Sequence, residues 1–381
     1  MSQPLAPAAV RRWLAGPLPP DVALALDRLT RTEDVRHVAV MPDVHLSHEV
    51  CTGTVVATAR RLYPHAVGND LGCGMAALRF AGGAALLAGE RPAARLLAGL
   101  YRTVPAIRHP RLTLREELPE ALGGLPLSHP LLEKLKGRDG RVEFATLGRG
   151  NHFVEFQADD EDRLWLMIHS GSRAMGQAIT EHHLTRARPS NTGLPFLDAD
   201  DAAGRAYLAD LDWACRYADT SRRAMAEAVA ALVAELFGIA ADWGSGVCCN
   251  HNHVSREVHF GEEFWVHRKG AISAREGETG IIPGSMGTAS FHVAGRGHAA
   301  ALCSSSHGAG RRLSRAQAFK TVRDGEFERQ LKGVWFDHRL AAKLRDEAPA
   351  AYKDIHAVMR AQRDLTRIVR RLRPLLSYKG V

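Results

Sequence analysis

Asp70, Cys73, His152, His169 and His251 are residues whose types, taken together, could hold divalent metal. Asp70 and Cys73 lie in AVGNDLGCGM, where Gly68, Gly72 and Gly74 keep the backbone tight enough for a carboxylate and a thiol to meet. A thiolate beside a carboxylate is costly unless a cation lies between them. By itself, however, the segment reads more simply as a buried cysteine in a glycine-rich turn. His152 follows Gly148, Gly150 and Asn151, with Glu155 three positions on. His169 ends the apolar run LWLMI and opens SGSR, and His251 stands between Asn250 and Asn252 in CCNHNHV. A lone histidine is more often structural than a ligand, but here one context recurs: an apolar run that empties into small polar residues around a histidine. One thiolate, one carboxylate and three imidazoles suit Mn²⁺ or Zn²⁺ better than Mg²⁺, which takes an all-oxygen shell. Five donors exceed one closed tetrahedral site, which points to two metals with the sulfur as a bridge.

His307 stands in SSSHGAGR. Gly308 and Gly310 bare backbone N–H groups, Ser304, Ser305 and Ser306 add donors, and Arg311 offers a planar fork for phosphate. No GK[ST] follows the glycines, so this is not a Walker loop. An imidazole beside an anion cradle suits a histidine that attacks phosphorus; the plainer alternative is a glycine-rich turn with a histidine facing solvent. The small-residue loop IIPGSMGTAS and the basic trio His267, Arg268 and Lys269 would serve phosphate as well, although such a trio is more often plain surface. Lys379 follows LLSY two residues from the C-terminus, where chain ends usually fray; docked, it would bring a positive charge to a nucleotide.

Elements able to position these groups are legible in outline. HVAVMPDV, GTVVATA, RLWLMIH and FWVHRKG are strand-like runs that end in Gly/Ser/His loops, and GRVEFATLGRGNHFVEFQ has the same texture. Residues 83–103 and 204–238 are predicted helices, the second with Leu211, Cys215 and Ala218 on one face, then Ala226, Val229 and Leu232. Residues 1–35 form an Ala/Leu-rich helical lead-in broken by Pro17, Pro19 and Pro20, and 355–372 a final helix ended by Pro374. No repeat and no linker divides the 381 residues, which favours one mixed domain whose loops converge.

Composition excludes several classes. Apolar residues at 45% and charged residues at 24% match a globular protein, not a disordered chain, a collagen or a coiled-coil rod. A transmembrane span is not expected, and Arg11 and Arg12 interrupt the N-terminus where a signal peptide would be most apolar. The formal charge of +8 permits an anionic partner without demanding one. The six cysteines form no CxxC framework, so a reducing cytoplasmic setting with free thiols is expected.

Assembled in order, the blocks resemble the RtcB family of RNA-splicing ligases, in its general bacterial form. They are MPDVHLSHEVCTGTVVAT, VGNDLGCGM, GRGNHFVEF, IHSGSRAMG, CCNHNHV, VHRKGAISAREGETGIIPGSMGTASF, SSSHGAGR, EAPAAYKDIHAVMRAQRDL and LLSYKG, running from about residue 36 to the end. The resemblance implies a single α+β domain of mixed sheets with peripheral helices and a converging Gly/His-loop active site, residues 36–381 being catalytic and 1–35 part of the same domain. It implies one or two Mn²⁺ ions on Asp70, Cys73, His152, His169 and His251, with Cys73 bridging. It also implies GTP as cofactor and His307 as the residue that takes GMP. The nucleotide would be gripped by Asn151, Glu155, Pro283, Gly284, Ser285, Met286, Ser290, Gly308, Ala309, Gly310, Arg311 and Lys379, and Asp43 would lie near the RNA ends. The implied reaction joins RNA 3′-phosphate or 2′,3′-cyclic phosphate ends to 5′-hydroxyl ends. A monomer is expected, with room for an activating protein partner. Two other classes would use the same residues: a metal-dependent phosphodiesterase or phosphatase, and an RNA-binding repair protein without turnover.

Two departures from the family pattern matter. Ser47, His48, Glu49 and Val50 replace a glycine-rich, lysine-containing stretch, and Glu49 is expected to repel phosphate. Ala174 stands where a glycine is common; were φ positive there, alanine would cost about 1 kcal/mol.

Overall fold

The apolar run in RLWLMIHS and the apolar–polar mix of FVEFQAD fold as two antiparallel neighbours, Arg163–Ser170 and Phe153–Asp159, in a computed structural model that describes residues 8–380. They sit in the middle of a seven-stranded sheet. Its strands run in the order Ala241–Asn250, Gly74–Gly83, Arg163–Ser170, Phe153–Asp159, Thr366–Lys379, Ser290–Gly295 and Thr279–Ile282. Every pairing in this sheet is antiparallel. The two outermost strands approach each other, so the sheet curls toward a barrel.

Because side chains alternate across a strand, the curled sheet has two distinct faces. Leu78, Phe80, Val154, Phe156, Leu166 and Ile168 point outward into the largest apolar cluster. Met75, Ala77, Trp165, Met167, Ile281 and Leu372 fill the inside of the curl. The inner face continues toward one end as Cys73, His169 and Glu155, in phase with Met75, Met167 and Phe153. Register holds them level: Met75 and Phe153 both lie opposite His169, Ser377 opposite Glu155, and Lys379 opposite Phe153.

The outer face is covered by the 36-residue helix Ala202–Phe237, close to the predicted span, together with the helix Glu90–Thr103. The long helix begins where the Asp201 side chain accepts from the Gly204 N–H at 2.7 Å. It ends at Gly238, whose left-handed φ of 70° closes the last turn. A second, five-stranded sheet has the order Ala9–Arg12, Val35–His45, Thr52–Thr58, Glu262–Lys269, Asn252–His259. The short ladder of Ala271–Ser273 with Ser304–Ser306 delivers His307 from its end. Among the described residues no helix is long and apolar enough to cross a membrane, and all six cysteines are free thiols.

Three sequence expectations need correction. The lead-in is helical only over Pro20–Thr30; Ala9–Arg12 is a strand parallel to Val35–His45, and residues 1–7, like Val381, lie outside the described residues. The final helix stops at Ala361, and Thr366–Lys379 is a 14-residue strand. Helical spacing there covers only Ile355, Val358 and Met359, after which pairing with two neighbouring strands wins. Pro374 sits at a register shift, where a missing N–H does least harm. In GRVEFATLGRGNHFVEFQ only the second half is a strand; Arg141–Glu143 is a helical turn.

Candidate active site

Cys73 lies at the centre of the metal-type donors. Its Sγ is 3.5 Å from His152 Nε2 and 3.3 Å from His169 Nε2. His152 Nε2 is 2.9 Å from Asp70 Oδ2, and the Nε2 atoms of His169 and His251 face each other at 3.4 Å. Two sets of donors result, each within 4.8 Å: Asp70–Cys73–His152 and Cys73–His169–His251. The two share the sulfur, as a bridging thiolate requires. All five residues expected from the sequence are thus brought together, from four separate segments of the chain.

The donor chemistry fits a divalent cation. His169 Nδ1 lies 3.1 Å from the Asn151 carbonyl, which keeps the proton on Nδ1 and leaves the Nε2 lone pair facing the cluster. Burial, and then neighbouring imidazoles, hold His169 and His251 well below the ordinary histidine range, so both are neutral at physiological pH, the form a metal would need. Asp70 Oδ1 is buried without a protein partner. Burial, and then Asp70, push the Cys73 thiol well up; a cation between sulfur and carboxylate reverses that balance. Gly171 packs against the Asp70 carboxylate so closely that a Cβ there would overlap it.

Backbone ties fix these loops. The His251 N–H donates to the Cys73 carbonyl at 2.8 Å, and Gly72 N–H to the Asn252 carbonyl at 2.8 Å. The Asn252 side chain donates to the Asp70 carbonyl and accepts from Gly270 N–H, at 3.0 and 2.9 Å.

His307 adjoins this cluster, its ring centroid 4.8 Å from that of His251. Asp43, fully buried, accepts from His307 Nδ1 at 2.6 Å and from its backbone N–H at 3.2 Å through the same Oδ2. A carboxylate on Nδ1 fixes the tautomer with Nε2 unprotonated. Gly310, at φ 72°, lets the loop pass against the Asp43 backbone where a Cβ would collide.

His307 opens onto a cavity of about 260 Å³. Every residue expected to grip a nucleotide lines it: Asn151 and Glu155, the 283–290 loop through Pro283, Gly284, Ser285, Met286 and Ser290, the 308–311 loop, and Lys379. Lys379 is docked rather than frayed, because its strand pairs with Phe153–Asp159. Burial raises the Glu155 carboxyl to about 8.

His45, Arg315, Glu347 and Tyr352 also line this cavity and escaped the sequence reading. Glu347 lay inside the EAPAAYKDIH block without a role; an acidic pair before a proline was its only signal. Buried Glu347 pairs with Lys379, and with Arg315 at 2.7 Å, and accepts from the Tyr352 hydroxyl at 2.9 Å. Burial alone would raise its carboxyl, but Lys379, Arg315 and Arg311 bring it down to about 2. A depressed carboxyl contributes stability that is full above its ordinary value of 4.5 and is lost as pH falls toward the folded value. In urea titrations, the stability advantage of wild type over Glu347→Gln should therefore shrink steadily from pH 5 to about 2.5. A pH-independent difference would show that the pair does not hold the carboxyl down.

The family model described as "tRNA-splicing ligase RtcB" matches residues 26–380. The chain belongs to the RtcB family. It is 36% identical to the RNA-splicing ligase RtcB of Escherichia coli strain K12, over 98% of both chains. It is 31% identical to the RNA-splicing ligase RtcB of Mycobacterium tuberculosis (91% of this chain, 97% of that one) and 30% identical to the tRNA-splicing ligase RtcB of Pyrobaculum aerophilum (90% and 87%). The chain is thus an enzyme of an RNA ligase family, its similarity running through nearly the whole length.

Both departures from the RtcB pattern have a structural answer. Glu49 is not a bare negative charge: Arg28 of the Pro20–Thr30 helix bonds its carboxylate at 2.6 Å and its carbonyl at 2.7 Å. Ala174 is the first residue of the helix Ala174–Leu184 and needs no positive φ. The left-handed residue is Arg173, at φ 60°.

Proposed function

We propose that this chain is a GTP- and Mn²⁺-dependent RNA ligase that joins 3′-phosphate or 2′,3′-cyclic phosphate ends to 5′-hydroxyl ends through a histidine–GMP intermediate. One observation carries the reading: His307, its Nδ1 bonded to buried Asp43, sits between a cysteine–imidazole cluster and a cavity walled by a glycine-rich loop. A metal-dependent hydrolase can draw its nucleophile from metal-activated water and does not require a histidine whose free nitrogen faces a cavity.

In the first step the His307 Nε2 lone pair attacks the α-phosphorus of GTP, and the bond to the pyrophosphate oxygen breaks. Asp43 offsets the positive charge that the imidazole gains. The Gly308–Gly310 N–H groups would orient phosphate oxygens; the Arg311 fork, expected to take phosphate, is instead turned to the Leu313 and Asp346 carbonyls, Glu347 and the Tyr352 hydroxyl, and so braces the loop. Mn²⁺ on Asp70, Cys73, His152, His169 and His251 would supply Lewis-acid stabilisation of the developing phosphate charge. Glu155 and Lys379 line the same cavity and would hold the base. Water then opens a cyclic phosphate to the 3′-phosphate. An oxygen of that 3′-phosphate attacks the histidine-bound phosphorus and frees His307. Finally the 5′-hydroxyl attacks the activated 3′ end, and GMP leaves.

Incubation with Mn²⁺ and GTP labelled at the α-phosphorus should yield an acid-labile, alkali-stable adduct that maps to His307 and vanishes in His307→Ala. An adduct elsewhere, or none in metal-loaded wild type, sinks the proposal.

A further inference from the structure

The helix Ala202–Phe237 turns its apolar stripe to the sheet through Tyr207, Leu211, Ala214, Ala218, Met225, Val229 and Leu232. Arg222 interrupts that stripe. It lies between Ala218 and Met225 on the covered face and is fully buried. A guanidinium in such a place is costly unless its donors are used, and the use made of these is specific. Nη1 donates to the Gly72 carbonyl at 3.0 Å and to the Ser170 carbonyl at 2.7 Å. Nη2 donates to the Asn250 side-chain oxygen and to Asp219. Gly72 precedes Cys73, Ser170 follows His169, and Asn250 precedes His251. One planar group thus grips the chain one residue away from three donors on three different strands or loops.

We propose that Arg222 is a positioning residue that sets the mutual spacing of Cys73, His169 and His251 and thereby the metal affinity of the cluster. The proposal rests on reading that cluster as a metal site. The three loops have no other shared anchor of this kind among the described residues. Sheet pairing also ties these segments, Gly74 lying opposite both Ser170 and Asn250, and the His251 N–H donates to the Cys73 carbonyl; Arg222 adds a side chain that bonds all three just beside the donors. A fixed fork can serve three acceptors at once. A lysine, with one rotating ammonium on a flexible stem, cannot hold both carbonyls and the amide in a single geometry.

The test uses the full chain and Co²⁺, whose thiolate charge-transfer and ligand-field absorption report on geometry independently of turnover. Arg222→Lys is expected to bind Co²⁺ about 10–100-fold more weakly and to shift the ligand-field bands. Asp219→Asn, which leaves both carbonyl bonds in place, is expected to stay close to wild type. An Arg222 that merely supports the fold would lower thermal stability in chelator without moving the cobalt spectrum or affinity; that result overturns the proposal. Should Arg222→Lys fail to fold, Asn250→Ala removes one anchor point alone and must weaken Co²⁺ binding severalfold, and an unchanged affinity overturns the proposal equally. Wild type lacking any thiolate–cobalt band would instead sink the metal reading, and this inference with it.

Discussion

Asp43→Asn is expected to slow nucleotide transfer to His307 by roughly 10³–10⁴-fold, the scale of loss when a triad carboxylate becomes an amide. Asp43 Oδ2 accepts from both the Nδ1 and the backbone N–H of His307. An asparagine can turn its NH₂ toward Nδ1, which favours the tautomer with the proton on Nε2, where the phosphorus must bond. It also withdraws the negative charge that offsets the forming phosphoryl-imidazolium. The replacement is nearly isosteric, so loss of fold is not the expected cause. Single-turnover adduct formation with labelled GTP measures the effect. A wild-type rate at unchanged metal content would remove Asp43 from the reaction.

Cys73→Ser has the second largest expected effect. A hydroxyl stays neutral where a metal-bound thiolate carries charge, and it is a poor ligand beside imidazoles. Because Sγ belongs to both donor sets, the substitution should weaken every metal position, by at least about tenfold each. His251→Ala touches one set and His152→Ala the other, so each should spare part of the binding capacity. Mn²⁺ titration followed by electron paramagnetic resonance distinguishes these patterns. If Cys73→Ser retained the Mn²⁺ content of wild type, the shared-sulfur arrangement would be refuted. Adduct formation at His307 should fall in parallel.

Local chemistry was legible in the sequence wherever backbone demands and reactive groups share one short segment. GNDLGCG, GRGNHF and SSSHGAGR each combine glycines that permit tight turns with a side chain that has work to do, so Asp70, Cys73, His152 and His307 stand out without coordinates. The helix over 202–237 was equally readable, because a long 3.6-residue pattern admits few alternatives. Over 366–372 the tail is strand where a helix is expected, for the opposite reason. Its apolar residues fit two turns of helix, and strand pairing on both sides, a non-local effect, decided otherwise. That pairing is also what buries Lys379 and hands it to Glu347, a partner 32 positions away.

By itself, then, the sequence determined which residue types were available for chemistry and that their segments form strands ending in loops. These are properties of a few adjacent residues: turn geometry, alternation and donor type. Tertiary structure alone decided that Asp43 takes the Nδ1 of His307, 264 positions along the chain, and that Glu347 neutralises Lys379. It alone decided that Arg222 abandons the expected apolar role of its helix face to hold three loops. In each of these a buried charged side chain finds its partners far away along the chain. Those partners are chosen by sheet register and by the curl of the sheet, which depend on all the strands together and are written in no single segment.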